Sequence, residues 1–402
     1  MQRFWARYSV RDDAVEGTCL VTGKDGHVEK VLPGKIKGVR GTPGKGVALV
    51  SAKHDSTHHY SLDQSLNMPI SRRTAERYTV ALDSLLRDEE RSVHMGEHEP
   101  GKGVSYVFWS KTPESRGEFY AMLVADAPEE VRDLLLSPVA KKAEPPRAFY
   151  MLTLTGTKGR VLVRDFMETT VGEVKKHVTR WFKAQRHLDA WGEEGKPLKI
   201  FPLVASCYAD KKEIQPRTIM AMWNTALKDQ PPPNELLIRA VSRCRVEGDK
   251  GHVTRPRAAL VRVMLPYTAK GGEIMEETVA YQCGRLLAEL EAIQEAAMGS
   301  SNVSTHFAMA STRPYTAFPM LLRYSQLHLS KVQRGDKPWL APILQQRLEE
   351  IMSQIRQEFP QTLSVREQGI FDLGHYQHRA AMRAERKEHA EAKRRQQEQE
   401  AS

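Results

Sequence analysis

Seventeen residues near the front of the chain, Pro33 to Leu49, hold five glycines, four cations and no acid. Glycine reaches positive φ and lets a backbone approach a ligand closely, while Lys35, Lys37, Arg40 and Lys45 supply charge to the same loop. A phosphate chain is the natural ligand for that combination. Two enzymatic patterns fail on spacing. A nucleotide-hydrolase phosphate loop needs a glycine five residues before Gly44-Lys45 and a hydroxyl directly after, and Val39 and Gly46 stand there. Gly41, Gly44 and Gly46 do not give the dinucleotide-binding spacing, and Gly46 to Ser51 reads as a strand rather than a helix. The residues alone leave two readings open: contact with nucleic acid, or a solvated surface loop.

Other chemistry is thinly represented. His54 and His58 are four apart, as are His94 and His98, but neither pair lies in a convincing helix and no cysteine or carboxylate completes a ligand set. The acids spread over helix faces instead of clustering as a two-metal nuclease requires. No Gly-x-Ser-x-Gly elbow is present. The expectation is no catalytic residue, no metal and no cofactor.

The elements that must position the loop read as α+β. Strands are expected at Thr18 to Thr22, Gly46 to Ser51 and Val104 to Trp109, with a helix through Ala75, Tyr78, Leu82, Leu85 and Leu86 capped by Ser71. Lys141 to Pro146 reads as a linker, closing a mixed α/β part over 1–140. Phe149 to Thr155 and Arg160 to Phe166 flank Gly156-Thr-Lys-Gly159 as a hairpin that opens a middle part over 147–268. An RNA-binding sheet motif beginning at Lys158-Gly159 fails, because Arg160, Leu162 and Asp165 fall where aromatics belong. Helices follow at Val171 to Trp191, Glu213 to Leu227, Glu235 to Val246 and Arg255 to Leu265; the cations Arg239, Arg243, Arg245, Arg255, Arg257 and Arg262 mark either a solvated face or a binding face. An all-α bundle is expected over 272–376, with apolar stripes through Val279 to Ile293 and Leu340 to Ile355 and a capping box at Ser364-Val-Arg-Glu367. The charged tail, 377–402, reads as frayed helix or disorder.

Composition bounds the class. The chain has 402 residues, a formal net charge of +10 and a pI near 9.3. That favours an anionic partner, nucleic acid above all. Cys19, Cys207, Cys244 and Cys283 lie far apart, so the expectation is buried, reduced thiols. With no long apolar run and no signal-peptide core, a cytoplasmic protein without a membrane partner is expected.

Taken in order, the residues resemble one family: the large subunit of the type I-C Cascade complex, the CRISPR-associated Csd family. The resemblance runs through Cys19 to Gly23, Ile36 to Val39, Gly41 to Gly46, Leu49 to Ser51 and Asn67-Met-Pro-Ile-Ser71, then Arg243-Cys-Arg245 and Arg257-Ala-Ala-Leu260. It is clearest at Gly284-Arg-Leu-Leu287, Phe318-Pro-Met-Leu-Leu322, His328-Leu-Ser-Lys331 and Gln368 to Tyr376. The chain departs from the family at Ala52-Lys53 and His375-Tyr376-Gln377, and it resembles a form lacking the usual N-terminal region.

The resemblance implies a non-catalytic subunit of an RNA-guided surveillance complex. Such a subunit joins guide RNA-bound backbone subunits, reads a protospacer-adjacent motif in target duplex DNA, aids strand separation and recruits a helicase-nuclease. Guide pairing then reads the sequence, while the protein supplies charge and a few groove contacts. Lys35, Lys37, Arg40 and Lys45 are the expected phosphate contacts, with close backbone approach at Gly38, Gly41 and Gly44; Gln64 and Asn67 carry amides able to read base edges. By the same resemblance, Arg285, Arg323, Lys331 and Arg334 face the displaced single strand, and an internal start at Met264 or Met275 yields a separate small subunit. A nuclease or nucleotide hydrolase built on the Gly/Lys loop and a generic basic RNA scaffold are the competing classes.

Overall fold

The computed structural model describes residues 15–51, 62, 64–96, 98–110, 148–186, 189, 192–193, 195–247, 252–268, 275–355 and 358–400. The His54/His58 pair, Ala52-Lys53 and the expected linker at 141–146 lie outside them. Two compact units are present, Met1–Lys176 and His177–Ser402.

The first unit opens with an antiparallel pair, β1 (Val15–Thr18) and β2 (Asp25–Val28). The strand expected at Thr18 to Thr22 is instead a turn: Cys19 N–H donates to Lys24 O, Gly23 N–H donates to Cys19 O, and Gly23 takes φ 65°. Helix α1 (Arg72–Arg87) buries Ala75, Thr79, Leu82 and Leu86, the three-to-four spacing that marks one apolar face. Ser71 precedes it without the expected side-chain cap, its hydroxyl sharing a 2.9 Å bond with Thr74. Four antiparallel strands then form one sheet in chain order: β3 (Ser92–Gly96), β4 (Gly103–Ser110), β5 (Ala148–Gly156) and β6 (Val161–Thr170). The expected β5–β6 hairpin is present, and β5 pairs with β4 from Ser105↔Leu154 to Ser110↔Phe149. Its strands therefore share a sheet with residues that the sequence places before the linker.

Helix α2 (Val171–Ala184) carries the chain into the second unit, followed by α3 (Ile200–Ala205), α4 (Pro216–Lys228), α5 (Asn234–Val246) and α6 (Arg255–Thr268). The α5 and α6 arginines are largely held internally. Arg257 is buried, donating to Ser206 O at 2.9 Å and pairing with Glu247; Arg243 also pairs with Glu247. Arg239 bonds Glu235 at 2.7 Å and lies over the Tyr208 ring.

Helix α7 (Val279–Met298) is the centre of this unit, buried almost all round from Ala280 to Ile293. Thr278 caps its start and Gly299, at φ 77°, ends it. Around it lie α8 (Phe307–Thr312), α9 (Pro314–Arg334), α10 (Leu340–Gln354) and α11 (Val365–Glu400). The capping box opens α11: Ser364 N–H donates to Glu367 at 2.7 Å and Glu367 N–H returns to the Ser364 hydroxyl at 3.4 Å. The tail expected as frayed helix or disorder is helical, continuous with α11 as far as Glu400, and its first part is core, since His378, Ala380 and Met382 are buried.

The α7–α11 crossing is unusually close. A Cβ on Gly284 of α7 would fall 2.0 Å from Phe371 O, and one on Gly374 of α11 would fall 2.2 Å from Tyr281 O. Polar groups fill the layer beside it. His375 Nε2 bonds Glu291 at 3.2 Å, Arg379 lies 3.4 Å from the same carboxylate, and His378 Nε2 bonds Glu289 at 2.7 Å. Asp372 is fully buried there, with the Cys244 thiol, a weak donor, beside it and no stronger hydrogen-bond partner among the described residues. Burial pushes its carboxyl well above the usual range, against the pull of the Cys244 thiol, Arg245 and Arg257. An acid whose folded value is raised contributes its full stability below the ordinary carboxyl range and loses it as pH rises. Asp372→Asn should therefore raise the neutral-pH unfolding free energy by about 1–3 kcal/mol, with the gain shrinking as denaturation is repeated toward pH 4.

Candidate nucleic-acid interface

The loop from Pro33 to Leu49 is a fixed structure. Ile36 and Val47 exchange both backbone hydrogen bonds, at 2.8 and 3.1 Å, and so close the loop at its base. Inside it Val39 is fully buried, joining Ile36, Val47, Leu82, Leu86, Val107, Leu154 and Val161 in one core cluster. The Thr42 hydroxyl and N–H both bond Val39 O. Four further bonds tie the loop to its neighbours. Lys37 N–H donates to Asp83 of α1 at 2.9 Å, Arg40 N–H to Ser105 of β4 at 2.9 Å, Gly156 N–H to Arg40 O at 2.9 Å, and Val161 N–H to Ala48 O at 3.1 Å. The strand expected at Gly46 to Ser51 reduces to isolated bridges, Ile36↔Val47 and Ala48↔Arg160, because no continuous partner runs beside it.

This geometry divides the glycines. Gly41 is buried at φ 82°, where a Cβ would meet Glu99 O at 2.7 Å and Gly156 O at 2.9 Å; its close approach is to the protein's own backbone. Gly46, at φ 74°, is packed in the same way against Ile36 O and the stems of Lys35 and Lys37. Gly38 and Gly44 are exposed. Lys35, Lys37 and Lys45 are exposed around Gly46, and among the described residues no carboxylate pairs with them. Arg40 is half-buried and acts electrostatically on His94. His94 sits in β3 with Nδ1 2.9 Å from the Ser105 hydroxyl, so this histidine belongs to a strand and its hydrogen bonding supports the loop. Burial first, then the Arg40 charge, lowers its imidazole below the usual value.

Gln64 and Asn67 bound a short 3₁₀ turn whose Ser65 N–H reaches Lys30 O, just before the loop. Asn67 Nδ2 donates to Leu62 O at 2.9 Å and to Gln64 O at 3.5 Å, bonds that form the turn. Gln64 holds φ 52°, an uncommon conformation for a residue with a side chain. Nearby, Cys19 sits at the start of α1 and its sulfur accepts the Ser71 N–H at 3.4 Å. Burial alone would raise this thiol; the Ser71, Thr22 and Val21 amides and the Thr22 hydroxyl outweigh it and bring it to about 6. Sequence spacing gave no sign of that, since the Cys19 and Ser71 contact spans two distant segments.

In the second unit the expected cations do not share one surface. Arg323, Lys331 and Arg334 are exposed on α9, with Met320, Tyr324 and Leu327 exposed among them. Positions 320, 324, 327, 331 and 334 follow the three-to-four spacing of a single helical face, a signal legible in the sequence but missed because the cations were read alone. Arg285 lies instead on α7, donating to Gln282 at 3.1 Å and to Glu350 of α10 at 3.2 Å. All four cysteines are buried and free; burial pushes Cys207 and Cys283 up to about 12. Among the described residues, no group of three or more His, Cys, Asp or Glu side chains could hold a metal ion, and no helix is long and apolar enough to cross a membrane.

A clamped loop with outward lysines, an amide-bearing turn beside it and a helical unit built on α7 and α11 occupy the segments whose motifs resemble the Csd family. No curated protein matches the sequence. A family model described as CRISPR-associated protein (Cas_Csd1) matches residues 1–383, and the chain belongs to that family.

Proposed function

We propose that this chain is the non-catalytic large subunit of a type I-C Cascade, working in the cytoplasm with guide RNA-bound backbone subunits. In this reading the loop from Pro33 to Leu49 reads the protospacer-adjacent motif of target duplex DNA, strand separation follows, and a helicase-nuclease is recruited in trans. The observation that carries it is the arrangement of Lys35, Lys37 and Lys45 around Gly46, on a loop anchored from behind to α1, β4, β5 and β6. Phosphate contacts position such a protein, and exposed backbone at Gly38 and Gly44 leaves room for groove approach. Arg40 and Gly41 act in this scheme from behind the contact surface, as supports. Gln64 and Asn67 carry the amides that this reading assigns to base edges.

The exposed α9 face supports a second role within the same reading. Tyr324 is placed to stack on an unpaired base while Arg323, Lys331 and Arg334 neutralise the displaced strand. Of the two candidate internal starts, Met264 is buried inside α6, whereas Met275 opens the short turn before α7. A start at Met275 leaves α7 to α11 whole, as a small subunit.

Copurification with guide RNA and backbone subunits, followed by salt-dependent binding to motif-containing duplex, tests the proposal. Lys37→Ala and Lys45→Ala should each weaken binding and flatten the plot of log affinity against log salt by about one unit. Unchanged slopes return the loop to a solvated surface. Magnesium-dependent cleavage or nucleotide turnover lost in Lys45→Ala would overturn the non-catalytic assignment.

A further inference from the structure

A second polar site lies at the start of the α7–α11 pair. An open cleft of about 540 Å³ is lined by Glu276, Tyr281, Gln282, Arg285, Gln377, His378 and Ala381. Its volume is in the range of small-molecule sites. Donors dominate the lining. Tyr281 donates its hydroxyl to Gln377 Oε1 at 2.7 Å, which leaves the Gln377 Nε2 hydrogens for a ligand. The Arg285 guanidinium bonds the Gln282 amide and the exposed Glu350, so its carboxylate contact is readily exchanged with solvent or ligand.

His378 is the most telling member. It is nine-tenths buried, and its Nε2 bonds Glu289, a carboxylate with no solvent exposure whose other oxygen has no partner. Glu289 does not line the cleft; it stands behind the ring and fixes the ring's orientation. With Nε2 held by Glu289, Nδ1 is the nitrogen left for a ligand. Among the described residues, the only carboxylate in the lining is Glu276, exposed ahead of α7.

An imidazole backed by a buried carboxylate, a guanidinium and an amide donor form an arrangement suited to a compact anion with several acceptor oxygens. We propose that this cleft binds the terminal phosphate of a phosphomonoester the size of one nucleotide, through His378, Arg285 and Gln377. A free nucleotide and the phosphorylated end of a strand offer the same group. The site is independent of the duplex-reading loop and stands whether or not that reading holds.

The test is calorimetric titration of the full chain with inorganic phosphate, AMP, and a tetranucleotide with and without a 5′-phosphate. Saturable phosphate binding is expected, weakened about tenfold or more by Arg285→Gln and by Gln377→Leu. Both variants spare the His378–Glu289 pair, and unchanged thermal unfolding without ligand separates lost binding from lost folding. Preference for AMP assigns the site to free nucleotides, and preference for the 5′-phosphorylated tetranucleotide assigns it to strand ends. Absence of both phosphate and AMP binding, equal binding of acetate and phosphate, or full affinity in both variants overturns the proposal.

Discussion

Gly284→Ala will lower the unfolding temperature of the second unit sharply, although alanine in place of a helical glycine ordinarily stabilises by roughly 1 kcal/mol. The sign reverses because the new methyl carbon would lie 2.0 Å from Phe371 O and 2.7 Å from His375 N. Those atoms are backbone of α11, so no side chain can rotate away. The helices must separate, and separation loosens the buried faces of both. Overpacking commonly costs about 1–3 kcal/mol; with a backbone obstacle the upper end or beyond is expected. Gly374→Ala presses on Tyr281 O from the other side and should behave alike. Chemical denaturation of each single variant and the double variant checks this: once one methyl has forced the helices apart, the second adds less than its own single cost.

Glu291→Ala should be comparably damaging for an electrostatic reason. Glu291 is buried between His375 and Arg379, at 3.2 and 3.4 Å. Removing one partner of a buried charged group leaves the others uncompensated, at about 3–5 kcal/mol. Burial alone would raise the Glu291 carboxyl; the His375 charge and hydrogen bond, with Arg379, outweigh it and hold it below the usual range. An acid lowered by folding contributes stability above its unfolded value, and that contribution disappears as pH falls through the folded one. The difference between wild type and Glu291→Ala should thus be full near neutrality and contract below about pH 4. A constant difference across that window would mean that lost packing, rather than charge, dominates.

Residues whose partners are local were easiest to read. Ser364 and Glu367 lie within one turn, and their spacing alone specified the cap observed at α11. Apolar stripes likewise located α1, α7 and α10, because burial follows helical periodicity. What escaped depends on distant segments. Strand β3, Ser92–Gly96, has no strong alternation and owes its form to pairing with β4. Glycine inside a helix reads as a weak point, so Gly284 and Gly374 reveal their use only when each meets the other's helix. The loop shows both outcomes. Its outward lysines were legible as charge, while Gly41, expected to approach a ligand, is packed against Glu99 O and Gly156 O.

The anchoring of that loop bears on how it meets a ligand. Ordering a residue's backbone costs about 1–2 kcal/mol, and a loose glycine-rich segment would lose that much per residue on association. Here the segment loses its freedom during folding, through Ile36–Val47 pairing, buried Val39 and the bonds to Asp83, Ser105, Gly156 and Val161. Only the lysine side chains remain to be ordered. In the proposed duplex-reading role, association at this surface is therefore docking of a nearly rigid body, its rate set by diffusion and long-range charge rather than by the slow closure of a flexible arm.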